Sequence, residues 1–145
     1  MPVVLDQNLL NQDTSLIRLV QGDTSPPLVV TVKKEIVNQN TGQSSVAPMD
    51  ISNATIRLKL RIKGQTTVHD IINGVPLDGL ENADGTINVA PPYNVLGAGG
   101  RVAFFWNNNS LSFAGDAEGE IEVTYNDGNI LTGYNLLRFR VRSQF

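Results

Sequence analysis

Gly119-Glu-Ile-Glu-Val-Thr-Tyr-Asn-Asp-Gly-Asn-Ile-Leu-Thr-Gly-Tyr-Asn-Leu-Leu-Arg-Phe-Arg-Val-Arg142 alternates apolar and polar residues on both sides of an Asp127-Gly128 turn. Ile121, Val123 and Tyr125 point one way, and Glu120, Glu122 and Thr124 the other. Beyond the turn, Leu137, Phe139 and Val141 oppose Arg138, Arg140 and Arg142. A period of two gives a strand one buried and one wet face, which predicts an antiparallel sheet with its core on one side.

Working back from this ending, the stretch 55–63 repeats the pattern. Ile56, Leu58, Leu60 and Ile62 face in, while Arg57, Lys59, Arg61 and Lys63 face out. Gly64-Gln65 turns the chain, and 67–72 is expected to pair back as a hairpin. Further strands are expected at 16–20, at 28–37, which is rich in β-branched residues, and at 101–106. A polar loop covers 38–50. From 73 to 100 the text turns to glycine and proline with few bulky apolar residues, and we read one long loop excursion with a short strand near 86–89. No segment of ten residues holds a helical period. The expected fold is all-β: a single immunoglobulin-like antiparallel β-sandwich over 15–145, preceded by an N-terminal arm at 1–14.

The 145 residues suffice for one domain with its own core. Fourteen acidic and eleven basic residues leave a net charge of −3, so no nucleic acid partner is expected. No membrane partner is expected either, because no stretch approaches the roughly 18 apolar residues of a membrane helix. Met1-Pro-Val-Val-Leu-Asp lacks the basic and apolar regions of a secretory leader. Cysteine is absent, which removes disulfides and thiolate ligands.

Catalysis finds little material, and the chain is expected not to be an enzyme. His69 is the single histidine and falls in a strand-like context, where an exposed or hydrogen-bonded strand residue outweighs a general base. No serine occupies a Gly-x-Ser-x-Gly elbow. Asp78, Glu81 and Asp84 could offer oxygen ligands, but their spacing misses the helix–loop–helix calcium pattern. Gly97-Ala-Gly-Gly100 precedes a strand rather than a helix, so no helix N-terminus awaits an anion. No cofactor or metal is expected.

The charged rows are more informative. Arg57, Lys59, Arg61, Lys63, Arg138, Arg140 and Arg142 supply seven of the eleven positive charges from two strands. In an immunoglobulin-like order Glu120 and Glu122 stand between these rows, and cross-strand pairs of this kind contribute about 0.2–1 kcal/mol each. Two glutamates leave an excess of positive charge, and the seven cations form a candidate docking face for an acidic partner surface. Its bland counterpart is a solvated sheet face. In the arm, Val3, Val4, Leu5, Leu9 and Leu10 form a candidate assembly segment that orders on a neighbouring subunit; folding back over its own domain is the alternative.

Three blocks carry a family resemblance. Ile17-Arg-Leu-Val-Gln-Gly-Asp-Thr-Ser-Pro-Pro-Leu-Val-Val-Thr-Val32, Met49-Asp-Ile-Ser-Asn-Ala-Thr-Ile-Arg-Leu-Lys-Leu60 and the closing segment from Ala114, with Leu137-Arg-Phe-Arg-Val141, occur in order. Together they resemble the N-terminal domain of phage baseplate upper proteins and related tail-fibre attachment domains. The resemblance implies a structural virion protein of the tail, baseplate or neck that assembles in several copies and anchors neighbouring tail or fibre proteins. It implies other virion proteins as partners, a homo-oligomer within the particle, and no catalytic residues. Typical members continue into helices or a fibre, whereas this sequence stops at Phe145, so an adaptor rather than a fibre is expected. The alternative is a receptor- or carbohydrate-binding sandwich using Tyr93, Trp106 or the 73–100 loop, although a core role for Trp106 is favoured.

Overall fold

Strict alternation over 54–62 and 115–125 produces the two longest strands, and the rest of the sheet is laid beside them. The computed structural model describes residues 3–4, 16–133 and 136–145. In chain order the strands are β1 (Val3–Val4), β2 (Leu16–Val20), β3 (Leu28–Thr31), β4 (Lys33–Val37), β5 (Ser44–Pro48), β6 (Ala54–Ile62), β7 (Asp70–Pro76), β8 (Leu80–Glu81), β9 (Ile87–Asn88), β10 (Arg101–Phe104), β11 (Gly115–Tyr125), β12 (Ile130–Thr132) and β13 (Leu137–Arg142). No helix occurs among the described residues. An eight-stranded sheet runs β2-β13-β11-β6-β7-β10-β3, with β12 also on β11, and curls into a half-barrel. β1-β4-β5 and β8-β9 form two small sheets.

The inner face of the curl holds the core. Ile56, Leu58, Leu60, Ile121, Val123, Leu137, Phe139 and Val141 are buried, as the alternation requires. Each such side chain contributes roughly 1.5–3 kcal/mol when removed from water. Trp106 and Leu111 close this core from the segment after β10, and Met49 and Ile51 from the segment before β6. The indole of Trp106 stands edge-on to Phe139 at 5.9 Å, and its Nε1 donates to the Pro26 carbonyl at 3.0 Å. Gly119 faces the same core. A Cβ there would lie 2.7 Å from Phe139 Cε2 and 2.9 Å from Leu58 Cδ1, so the missing side chain is the space the phenyl ring fills.

Several expectations are corrected. The sheet is mixed rather than wholly antiparallel, because β2 runs parallel to β13, with Arg18 opposite Arg140. More than a hundred residues separate these strands, so no hairpin turn dictates their direction. The single strand expected over 28–37 is broken at Val32. Its N–H donates to Gly100 and its carbonyl accepts from Met49 N, so the chain leaves the large sheet there and joins the small one. Gly100 occupies φ +79°, where only glycine is unstrained, and an added Cβ would collide with the Val32 carbonyl. The polar loop over 38–50 contains β5, whose Ser-Ser-Val-Ala-Pro text has no alternation to betray it. The strand expected over 67–72 is β7, displaced toward the C-terminus, so 73–76 lies in the sheet and the excursion starts at Leu77.

The closing ladder is confirmed with one irregularity. Thr132 lies opposite Glu122 and Leu137 opposite Gly119, so five residue steps on the returning chain answer three on β11. The slip is even-numbered and keeps Leu137, Phe139 and Val141 on the inner face.

Candidate docking face

The outer face of the large sheet collects the charged residues in cross-strand rows. β11 lies between β6 and β13, as the immunoglobulin-like order anticipated for these three strands. β11 begins at Gly115, and its outward acidic residues are Asp116, Glu118, Glu120 and Glu122, twice the number of carboxylates expected. Their even-numbered spacing was visible in the sequence, but Gly115 and Gly119 hid the strand start, since glycine is poor in strands.

These pairs are not equivalent. Glu122 takes Lys59 Nζ at 2.7 Å on one oxygen and the Arg57 guanidinium on the other. Its side chain is only 8% exposed, roofed by cations that are themselves about a third exposed, Arg57 at 38% and Lys59 at 28%. Hydrogen bonds from Lys59 and then Arg57 hold its carboxyl below the usual glutamate range, against the opposing effect of burial. Toward the other end, Arg61 donates to Glu118 at 3.1 Å and Arg140 Nε to Asp116 at 2.9 Å. These pairs are open to water: Arg140 is 56% and Asp116 37% exposed. The Arg140 hydrogen bond lowers the Asp116 pKa and raises that of Arg140.

Four of the seven predicted cations, Arg57, Lys59, Arg61 and Arg140, are therefore ion-paired. Lys63 adjoins Asp116 through its backbone N–H, and Arg142 Nη1 donates to the Ser143 carbonyl while lying over the Phe145 ring. Arg138 forms no ion pair among the described residues. Arg18, missed by sequence reasoning, joins them because β2 lies against β13. Only the parallel pairing brings it there, and nothing local announces that pairing. A groove of about 700 Å³ opens beside Arg18, Arg140 and Arg142, with Leu19, Val20 and Val141 among its apolar lining.

The other end of the outer face is apolar. Val29, Ala103 and Val75 lie in one row across β3, β10 and β7. Val29 and Val75 are exposed, as are Ile71 and Phe105.

Of the assembly-arm residues, Val3 and Val4 pair as β1 with β4, Val3 opposite Ile36 and Val4 opposite Glu35. Leu5, Leu9 and Leu10 lie outside the described residues. His69 Nε2 is 3.0 Å from the Asn109 carbonyl, and Ser112 Oγ is at 3.4 Å. A carbonyl can only accept, so Nε2 carries the hydrogen there and is not free to take a proton from Ser112. Asp70 instead accepts from Ser110 Oγ at 2.7 Å and from Asn107 Nδ2, tying the 107–110 turn to the start of β7. Among the described residues, no three of His, Asp and Glu converge as metal ligands. Glu81 accepts from Thr31 Oγ1, and Asp84 accepts from Thr86, whose hydrogen bonds lower its pKa.

Compared with known proteins, the chain matches no family model and no curated protein.

Proposed function

We propose that this chain is a non-enzymatic structural subunit of a phage virion, an adaptor of the tail, baseplate or neck. In this reading it assembles in multiple copies, and neighbouring tail or fibre proteins are its partners, with neither nucleic acid nor membrane involved. The observation that carries the reading is where the three resembling blocks fall. They occupy β2, β6, β11 and β13, four consecutive neighbours in the large sheet, together with β3. Those strands supply both the core and the cationic outer face, so the resemblance covers the parts that would fold and dock. The finer assignment to an immunoglobulin-like sandwich belongs to this proposal. Its support is the order β6-β11-β13 alone, since one curled sheet carries most of the core where two facing sheets were expected.

Mass spectrometry of purified virions tests the reading. The chain is expected at a fixed stoichiometry above one per particle, and its consistent absence would reject the proposal. The receptor- or carbohydrate-binding alternative has less beneath it, because Trp106 is spent on the core with its Nε1 bonded to Pro26.

A further inference from the structure

Cations gather at one end of the large sheet, and the excursion beside its other edge is acidic, bordered there by Arg101 and Lys33. In the cross-strand rows that run from the end of β6 across β11 to the β2–β13 edge, Arg18, Arg61, Lys63, Arg138, Arg140 and Arg142 stand against Asp116 and Glu118. That is an excess of four positive charges in a chain whose net charge is −3. The rest of the molecule is correspondingly acidic. At the opposite edge the excursion 77–100 holds Asp78, Glu81 and Asp84 and no basic residue. It is anchored to that edge: Thr31 of β3 donates to Glu81, and Arg101 of β10 donates to the Asp78 carbonyl at 2.7 Å. Seven strands lie along the path between the edges, which at about 4.8 Å per spacing separates the two charges by roughly 30 Å along the curve.

The surfaces also match in apolar character. Arg18, Arg140 and Arg142 outnumber the one carboxylate, Asp116, around a groove with apolar lining from Leu19, Val20 and Val141. The acidic excursion exposes Ile87, Val89, Val95 and Leu96. A groove with a cationic rim fits a loop that is acidic and apolar-tipped.

We propose that copies of this chain associate head to tail, the arginine-rimmed groove at the β2–β13 edge of one copy receiving the acidic 77–100 excursion of the next. The contact joins two different patches, so it is heterologous and generates a closed ring or an open filament rather than an isolated dimer. The inference deepens the multi-copy part of the proposed function. Its failure would leave the virion assignment standing, because that assignment is tested on particles rather than on purified protein.

The test is sedimentation velocity on the purified full chain at about 50 and about 500 mM salt, which shortens the Debye length from roughly 14 to roughly 4 Å. The wild type should associate at low salt and weaken at least tenfold at high salt. Arg18→Glu with Arg142→Glu should lose association at least tenfold, as should Asp78→Lys with Glu81→Lys. Mixing these two charge-reversed proteins restores both complementary contacts, so the mixture should associate as the wild type does. Arg18→Gln with Arg142→Gln covers the case in which a reversal unfolds, and it too should weaken association. A wild type that stays monomeric at low salt would overturn the proposal. So would association indifferent to these variants, or two folded reversed proteins that ignore each other. Salt-sensitive binding of single-stranded DNA at the arginine edge without self-association would overturn it in favour of a nucleic acid surface.

Discussion

Glu122 and Asp116 sit on the same face of the same strand, six residues apart, and each meets an arginine from a neighbouring strand. Glu122 is enclosed by Arg57 and Lys59, whereas Asp116 and Arg140 stand in water. The difference is position in the sheet. β6 and β13 flank β11, but Glu122 draws both its cations from β6 near the middle of the sheet. Asp116 lies where the ladder nears the outermost strand, β2. Identical chemistry is therefore enclosed at one place and open to water at the other.

Substitutions can break that contrast, beginning with the core on which both regions rest. Phe139→Ala should cost about 3–5 kcal/mol, because the ring is fully buried against Trp106 and Gly119 has no side chain to refill the space. Urea denaturation would measure it. Gly119→Ala should cost about 1–3 kcal/mol by forcing Phe139 and Leu58 apart, seen as a lower thermal midpoint.

Glu122→Gln sharpens the comparison directly. It should cost about 1–2 kcal/mol near neutral pH, reduced from a fully buried pair because Arg57 and Lys59 are partly exposed. The folded carboxyl titrates below its unfolded value. Its contribution is therefore complete above the ordinary glutamate pKa and is lost as pH falls through the depressed one. Unfolding curves across the acid range should show a shallower fall in stability for Glu122→Gln than for the wild type. Asp116→Asn gives the smallest effect: the unfolding midpoint should stay within error at moderate salt, since the pair is exposed.

Sequence alone revealed the alternating strands, and for a physical reason. Ile56, Leu58, Leu60, Leu137, Phe139 and Val141 are inward on strands with one wet face, so periodicity declares them. Val32 was opaque because its apolar neighbours say strand without saying which sheet, and that choice is made by Gly100 and Met49 far along the chain. β5 carries no pattern of its own and exists by pairing with β4. The seven predicted cations were found by alternation, but which of them are ion-paired depends on how far β11 extends. Arg18 depends on a parallel contact across the length of the chain. Burial of Glu122 likewise follows from the reach of two long side chains rather than from strand parity.

One paired measurement tests the division between the two ends of β11: unfolding midpoint and sedimentation coefficient recorded on the same samples. Glu122→Gln and Arg18→Gln with Arg142→Gln are the proteins to compare. Glu122→Gln should lower the midpoint and leave association unchanged, while the double arginine variant should weaken association and leave the midpoint unchanged. If both properties moved together in either protein, or the two effects were exchanged, the outer face would not be divided into a stabilising middle and a docking edge.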